Sequence, residues 1–257
     1  MCKAIAICLH GTRQYMEDRH LIVHNFYENY HLYAVFDGHG GDGVAEHCRD
    51  NLARILKRNL LKTNGDFKTA LLETFDDLDE SIPIPESYVV GSTCLVVLKG
   101  LDDVWVANCG DSRAIMNNGA SVANLTRDHK PIGREKERIE RAGGVVVKMA
   151  PKFYRVSGEL ALSRAIGDKK YRPSVIPTPD VFRYTLSGNN QFIVVATDGL
   201  WDVMSSDATN AFIKQFYLAE PRQSDVDMLK DVWLGLTRVL SPIIEDNTTA
   251  IVVHLRR

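Results

Sequence analysis

The sequence lacks any apolar run that approaches the ~18 residues needed to span a bilayer, and it lacks a strong excess of either charge. Its formal net charge is -2 at pH 7, with 25% charged and 45% hydrophobic residues. This balance leads us to expect neither nucleic-acid binding nor attachment to a membrane surface. The apolar stretch near the start is too short for a signal peptide, so we expect a first strand there.

Cysteine spacing of the kind that marks a disulfide framework or a zinc site is also missing. The five cysteines are an odd number, and none forms a C-x-x-C pair, which indicates reduced, packed thiols. No low-complexity segment, internal repeat or long linker interrupts the 257 residues. We therefore expect a single domain over residues 1–257, in a monomeric protein of the cytoplasm, with the nucleus as the alternative compartment.

The spacing of apolar residues changes its period several times along the chain. Helices are expected near 42–60, 66–81, 133–142, 206–218 and 224–240, and strands near 4–9, 20–24, 31–36, 92–98, 103–108, 112–116, 121–125, 145–149, 191–197 and 248–255. The last helix is expected to bury Leu229, Val232, Leu236 and Val239. Because strands do not alternate regularly with helices, the order favours an α+β layered sandwich of antiparallel sheets covered by paired helices.

Acidic residues recur where the predicted strands begin or end. The five that stand out first are Glu17, Asp18, Asp37, Asp198 and Asp246. Asp37 ends a strand and opens the segment Asp-Gly-His-Gly-Gly, and Asp198 repeats the strand-Asp-Gly pattern. Carboxylates that a fold gathers in this way repel one another unless a cation neutralises them. The pattern therefore favours a shared metal site.

Each acidic motif taken alone also has an ordinary structural explanation. Asp37 and Asp198 could end hairpin turns. Asp202 could cap the helix that follows it, and Asp246 could form an Asx turn. The repetition of the strand-Asp-Gly pattern favours a shared site over two coincidental turns.

Glu17 and Asp18 follow Arg13 by four and five residues. They could belong to a solvated charged loop. Adjacent residues of an extended segment point to opposite sides, so we expect one of the two acids to bind an ion and the other to hold water. The planar guanidinium of Arg13 suits a phosphate group.

The segment Gly110-Asp111-Ser112-Arg113-Ala114 has two functional interpretations and one structural one. It resembles a nucleophile elbow with Ser112 as the nucleophile, although Ala114 stands where a glycine is expected. It also supplies a further carboxylate, Asp111, at the end of an apolar strand. The structural interpretation is a hairpin turn.

The candidate ligands are all oxygen atoms. No Cys or His cluster has zinc spacing, and no H-E-x-x-H motif occurs. Hard cations, Mg²⁺ or Mn²⁺, are therefore expected. Several carboxylates, one of them shared, together with an arginine fork predict a two-metal site in which a bridging hydroxide attacks phosphorus.

The chemistry-bearing segments resemble those of the metal-dependent protein serine/threonine phosphatases of type 2C. They stand in the family's order along nearly the whole chain and are Arg13 with Met16-Glu17-Asp18, Phe36-Asp37-Gly38-His39-Gly40-Gly41, Gly91-Ser92-Thr93, Ala107-Asn108-Cys109-Gly110-Asp111-Ser112-Arg113, Asp128-His129-Lys130-Pro131, Glu137-Arg138-Ile139 with Ala142-Gly143-Gly144, Leu160-Ala161-Leu162-Ser163-Arg164-Ala165-Ile166-Gly167-Asp168, Asp198-Gly199-Leu200-Trp201-Asp202-Val203 and Glu245-Asp246-Asn247. The departures are minor: Thr12 precedes the arginine where the family usually has an aromatic residue, and Ser157 replaces a common asparagine.

The resemblance implies a four-layer α-β-β-α sandwich with two central antiparallel sheets flanked by antiparallel helix pairs, and a flap at about 131–172. It implies hydrolysis of phosphoserine and phosphothreonine in protein substrates by a metal-bridging hydroxide, without a phosphoenzyme. It also implies two Mn²⁺ or Mg²⁺ ions. One would be bound by Asp37, Asp198 and Asp246, and the other by Glu17, Asp37 and the carbonyl of Gly38.

Further roles follow from the same resemblance. Asp18 would hold a metal-bound water, and Asp111 and Asp202 would add a weaker third metal site. Arg13 would grip the substrate phosphate. His39 would be the general acid that protonates the leaving oxygen, a role that suits its near-neutral intrinsic pKa.

Two alternatives remain open beside the phosphatase. A serine hydrolase would use Ser112, but no acid and histidine accompany it at a suitable spacing. An inactive relative would keep the fold as a binding module and lose metal ligands. The residues that such a relative would lose are all present here: Arg13, Glu17, Asp37, His39, Asp198 and Asp246.

Overall fold

The computed structural model describes residues 3–83, 85–151, 153–218 and 224–255. The strands are β1 (Lys3–Leu9), β2 (Arg19–Tyr27), β3 (Tyr30–Phe36), β4 (Gly38–His39), β5 (Gly91–Ser92), β6 (Cys94–Lys99), β7 (Asp103–Cys109), β8 (Arg113–Asn117), β9 (Val122–Asn124), β10 (Val146–Ala150), β11 (Phe153–Val156), β12 (Ile166–Gly167), β13 (Asp180–Thr185), β14 (Phe192–Ala196) and β15 (Thr248–His254). The helices are α1 (Gly43–Lys62), α2 (Phe67–Ser81), α3 (Glu86–Val89), α4 (Gly133–Arg141), α5 (Asp198–Trp201), α6 (Ser206–Leu218) and α7 (Asp225–Leu240). In this part of the chain no helix is long and apolar enough to cross a membrane.

Two five-stranded antiparallel sheets form the centre of the fold. Sheet I has the strand order β1-β15-β14-β8-β9, and sheet II has the order β13-β7-β6-β3-β2. Helices α1 and α2 pack on the outer face of sheet II, and helices α6 and α7 pack on the outer face of sheet I. The predicted four-layer α-β-β-α sandwich is therefore confirmed.

The alternation of side chains along each strand supplies both faces of a sheet with apolar residues. In β3, Leu32, Ala34 and Phe36 pack beneath α1 and α2, whereas Tyr33 and Val35 face sheet I. All five side chains are fully buried. Strands of this kind, buried on both sides, read in the sequence as continuous apolar runs, which is why they were predictable.

Several short elements were not predicted from the sequence, among them β4, β11, β12, α3 and α5, and two further differences concern α7 and β13. In α7, Leu229, Val232 and Leu236 are buried as expected, but Val239 is 40% exposed and Leu240 takes the inner position. A helical turn contains 3.6 residues, so position 240 lies closer to the face of position 236 than position 239 does. The edge strand β13, paired with β7, was not predicted, because its half-buried residues give a weak apolar signal.

The segment predicted as a flap contains α4 and the hairpin β10-β11, which forms a sheet of its own. A small apolar cluster holds it together: Ile139, Val156, Leu162, Ala165 and Val175. Buried ion pairs add to this, with Arg164 bonded to Glu135 at 2.6 Å and to Asp180 at 3.0 Å. Burial opposes ionisation of Glu135, but the arginines Arg164 and Arg138 lower its pKa to about 2.

Candidate metal centre

One end of the sandwich collects the strand ends that carry acidic residues. Asp37 follows β3 in sheet II, Asp198 follows β14 in sheet I, and Asp246 precedes β15. Neighbouring strands are antiparallel, so the end of one lies beside the start of the next. None of the three acids sits in a hairpin turn, since Asp198 begins the short helix α5 and Asp37 leads into the two-residue strand β4.

Asp37 is held by its backbone on both sides. Its N–H donates to Thr93 Oγ1 at 3.0 Å, and its carbonyl accepts from the N–H of Thr93 at 2.9 Å. Burial raises the pKa of Asp37 well above its ordinary value, and the charges of Asp18, Asp198 and Asp111 add to the rise. The carboxyl groups of Asp37 and Asp198 are close enough for each to act on the pKa of the other. Two carboxylates can approach in this way only with a proton or a cation between them.

Asp18 faces the same cluster from the start of β2. It is 3% exposed, and its Oδ2 accepts a hydrogen bond from Thr197 Oγ1 at 2.9 Å. Among the described residues, none makes a hydrogen bond of good geometry to its other oxygen, Oδ1. Burial raises the pKa of Asp18 to about 7; its hydroxyl contacts lower it, and the charges of Asp198 and Asp246 contribute to the rise. Asp18 is thus a buried acid with an unused oxygen.

Glu17 and Gly38 are brought together by close backbone packing. A Cβ at position 38 would lie 2.6 Å from the carbonyl oxygen of Glu17, so only glycine fits there. The N–H of Glu17 donates to Asn247 Oδ1 at 2.8 Å, and Asn247 Nδ2 donates to the His10 carbonyl at 2.8 Å. Asn247 therefore fixes the loop that carries Glu17, a role that the sequence analysis did not identify.

Lys130 supplies positive charge inside the acidic cluster. Its Nζ donates to Asp111 Oδ2 and lies 3.5 Å from Asp198 Oδ2. Burial raises the pKa of Asp198 to about 6, with Asp111 adding to the rise and Lys130 opposing it. Burial disfavours a charged Lys130, but the surrounding carboxylates raise its pKa and keep it an ammonium. No role was predicted for Lys130 from the sequence. The signal that could have identified it is its position beside His129 in a segment that matches the family.

Arg13 borders a cleft of about 450 Å³ at the same end of the sandwich. Its Nη2 lies 2.5 Å from Asp246 Oδ2, and its side chain is exposed. Asp202 also lines this cleft, at the end of α5, and it does not cap α6. Burial raises the pKa of Asp202, Lys130 opposes the rise, and repulsion from Asp111 adds to it.

His39 pairs with Asp168, which lies in a segment that matches the family but had no predicted role. Its Nε2 lies 2.6 Å from Oδ2 of Asp168, which is completely buried. Burial alone would lower the pKa of His39, but the hydrogen bond and charge of Asp168 raise it overall. Glu17 and Asp111 act in the same direction from the acidic cluster.

The residues at this end of the sandwich fit a hard divalent cation. Their donors are carboxylate oxygens, three of them on acids whose pKa is raised by burial and mutual repulsion: Asp18, Asp37 and Asp198. A cation would remove that repulsion and could use the free oxygen of Asp18. Within the described ranges, no three Asp, Glu, His or Cys side chains are placed so that they could hold a metal ion without rearrangement. Lys130 and Arg13 instead hold Asp111 and Asp246 in ion pairs.

This combination of a four-layer sandwich and an acidic cluster between its sheets agrees with comparisons to known proteins. The family model described as protein phosphatase 2C matches residues 4–227. The chain therefore belongs to the protein phosphatase 2C family.

Individual relatives give the same result. The chain is 36% identical over 228 residues to protein phosphatase 2C homolog 3 of Schizosaccharomyces pombe, a match that covers 82% of this chain and 54% of that protein. It is 39% identical over 189 residues to protein phosphatase 2C 56 of Arabidopsis thaliana, covering 69% and 43% of the two chains. The chain thus spans about half the length of these relatives.

Solved structures share the fold at lower identity. A sex-determining protein of C. elegans superposes with a TM-score of 0.87 at 24% identity, covering 99% of this chain and 65% of that one. Serine-threonine phosphatase 2C from Toxoplasma gondii superposes with a TM-score of 0.79 at 24% identity, covering 98% and 94%. At this identity, the likeness concerns the fold alone.

Proposed function

We propose that this protein is a metal-dependent phosphatase that hydrolyses phosphoserine and phosphothreonine in protein substrates. The observation that carries the proposal is the cluster formed by the carboxyl groups of Asp37, Asp198 and Asp18, whose pKa values are raised by desolvation and by the charges of neighbouring acids. Three acids from both sheets are forced together although burial disfavours their charge. A binding module would gain nothing from such an arrangement, whereas a cation site requires it.

The proposed ligands are divided between two Mg²⁺ or Mn²⁺ ions. Asp37, Asp198 and Asp246 would hold one ion, which requires Asp246 to leave its ion pair with Arg13. Glu17, Asp37 and the Gly38 carbonyl would hold the other. The chemistry that the two ions supply when bound is the activation of water for direct attack on phosphorus, without a phosphoenzyme.

The remaining residues act on the substrate and on solvent. Arg13, once released by Asp246, would bind the phosphate through its guanidinium fork at the rim of the cleft. Asp18 would orient a water molecule with its free carboxylate oxygen. Asp111 and Asp202 would hold a third, weaker ion in competition with Lys130. His39 would donate a proton to the leaving serine or threonine oxygen.

The serine hydrolase alternative finds little support in the position of Ser112. The Ser112 side chain is completely buried, and its Oγ lies 2.8 Å from Thr93 Oγ1. It braces the threonine that in turn holds the backbone of Asp37. A nucleophile needs access to substrate and an adjacent base. The buried Ser112 lacks that access, and its partner Thr93 is not a base.

The proposal is tested by measuring phosphate release from a phosphoserine peptide. We expect activity that requires added Mn²⁺ or Mg²⁺ and stops with a chelator. Asp198→Asn should abolish it, because the variant loses a charged ligand, whereas Ser112→Ala should retain most of it. Metal-independent turnover, or a loss caused by Ser112→Ala and not by Asp198→Asn, would contradict the proposal.

A further inference from the structure

A partly exposed histidine, His39, and a buried carboxylate, Asp168, form a pair at the edge of the acidic cluster. The His39 side chain is 27% exposed, whereas that of Asp168 is 0% exposed. The Nε2 of the imidazole is engaged with Asp168 at 2.6 Å. Nδ1 is therefore the ring nitrogen that remains for a substrate group.

The carboxylate of Asp168 has no other partner among the residues that the structure describes. Its Oδ1 is buried and, within the described part of the chain, makes no hydrogen bond, whereas its Oδ2 is bonded to His39. A buried carboxylate with one unsatisfied oxygen is costly to the fold. That cost indicates that the contact with His39 serves a purpose other than stability.

The backbone around Asp168 is arranged to aim its side chain at His39. Asp168 adopts a left-handed conformation with φ +51°, which is unfavourable for a residue other than glycine. Its N–H donates to the Val90 carbonyl at 3.1 Å, and the preceding N–H, of Gly167, donates to Asp79 Oδ1 at 2.7 Å. The turn is thus fixed by two hydrogen bonds to its backbone, one to Val90 and one to Asp79.

Gly91 leaves the space in which the pair meets. A Cβ at this position would lie 2.6 Å from His39 Nε2 and closer still to the Asp168 carboxylate. Strand β5, which contains Gly91, pairs with both β4 and β12, the strands that carry or precede the two residues. The small sheet β12-β5-β4 therefore holds His39 and Asp168 next to each other.

We propose that Asp168 is a positioning residue that holds the Nε2–H of His39 and thereby assigns Nδ1 as the atom that donates the proton. The proposal rests on the function proposed above. As water forms its bond to phosphorus and loses one proton to solvent, the bond from phosphorus to the serine or threonine oxygen breaks. The electron pair stays on that oxygen, which takes the Nδ1 proton, and solvent later returns a proton to His39.

The contribution of Asp168 should depend on the leaving group. A serine oxygen needs the proton as it leaves, whereas p-nitrophenolate is stable without one. In Asp168→Asn, kcat on a phosphoserine peptide should fall roughly tenfold to 100-fold, by analogy with the loss of a carboxylate that orients a metal-binding histidine. With p-nitrophenyl phosphate, kcat should change less than about threefold, and KM for both substrates should change little.

Asp79→Asn is the matched control. It removes a carboxylate of helix α2 that supports the same turn from outside, through hydrogen bonds from the Gly167 N–H and from Arg172. Any effect of loosening the turn should appear in this variant. That effect should change kcat on the phosphoserine peptide and kcat on p-nitrophenyl phosphate by the same factor. The substrate ratio is kcat on the phosphoserine peptide divided by kcat on p-nitrophenyl phosphate. If Asp79→Asn and Asp168→Asn shift this ratio equally, the proposal is overturned and Asp168 has only a structural role.

Two further variants complete the experiment. Gly91→Ala should separate the pair while keeping both side chains, and it should reproduce the selective loss even if Asp168→Asn folds poorly. In a His39→Gln background, Asp168→Asn should have no further effect on the peptide reaction, because it acts through the histidine. Additive losses in that double variant would overturn the proposal.

The wild-type protein separates this inference from the proposed function. If wild type releases phosphate in a metal-dependent manner and Asp168→Asn has an unchanged substrate ratio, only the role of Asp168 is wrong. If wild type releases no phosphate from either substrate with Mn²⁺ present, the proposed function fails and the role of Asp168 fails with it.

Discussion

The buried charge of Asp18 should destabilise the metal-free protein at alkaline pH. Burial and neighbouring carboxylates raise the pKa of Asp18 from its ordinary 3.8 to about 7. Because the native pKa lies above the unfolded one, the folded protein binds this proton more tightly. The resulting stability is present at low pH and is lost as pH rises through the native pKa.

The size of the effect follows from the two pKa values. Between about pH 8 and about pH 5.5, protonation of Asp18 in the folded state alone should increase the free energy of unfolding by about 2 kcal/mol. Asp18→Asn removes the titrating group and keeps an oxygen that can accept the Thr197 hydrogen bond. The stability difference between variant and wild type should therefore shift by about 2 kcal/mol in favour of the variant as pH rises over this interval.

The measurement is urea unfolding of both proteins in the presence of a chelator at the two pH values. Comparing the two proteins cancels the contribution of titrating groups that do not interact with Asp18. Repeating the series with saturating Mn²⁺ should reverse the trend for wild type, since ionised carboxylates are the ligands. A stability difference that stays constant with pH, or that favours wild type at the higher pH, would refute the reasoning.

Three other predictions concern stability and metal binding. Mn²⁺ at about 100 times its dissociation constant should stabilise wild type by about 2.7 kcal/mol, seen in calorimetry as a rise in Tm that is absent from Asp37→Asn. Glu135→Gln should lower the free energy of unfolding by about 3 kcal/mol, since it leaves Arg164 partly unpaired in a buried site; a change within 0.5 kcal/mol or so, typical of surface substitutions, would be inconsistent with a buried network. Ser112→Ala should cost about 1 kcal/mol in urea unfolding through the lost hydrogen bond to Thr93, and a stabilised variant would contradict this contact.

The elements that the sequence specified strongly are those buried on two faces or amphipathic over several turns. Strand β3 and helix α1 are examples, because their apolar residues follow the period of a strand or a helix without interruption. Edge strand β13 was missed because its residues are exposed on one side and the signal is weak. The position of Val239 shows that the period fixes a helix face only to within about one residue.

The acids at strand ends were predictable because a layered antiparallel fold brings strand ends together. The partners of these acids were not predictable in the same way. Lys130, Asp168 and Asn247 act through contacts between segments that are far apart in the chain. No local period or spacing encodes such pairings, although all three residues lie in segments that match the family.

The central claim is that acids from both sheets form one divalent metal centre, with Asp37 shared between two ions. Isothermal titration of the chelator-treated protein with Mn²⁺ tests it most directly. Wild type should bind at least two equivalents, and Asp37→Asn should lose both of the tighter ones, because each ion uses that carboxylate. Absence of Mn²⁺ binding in folded wild type, or unchanged binding in Asp37→Asn, would contradict the claim.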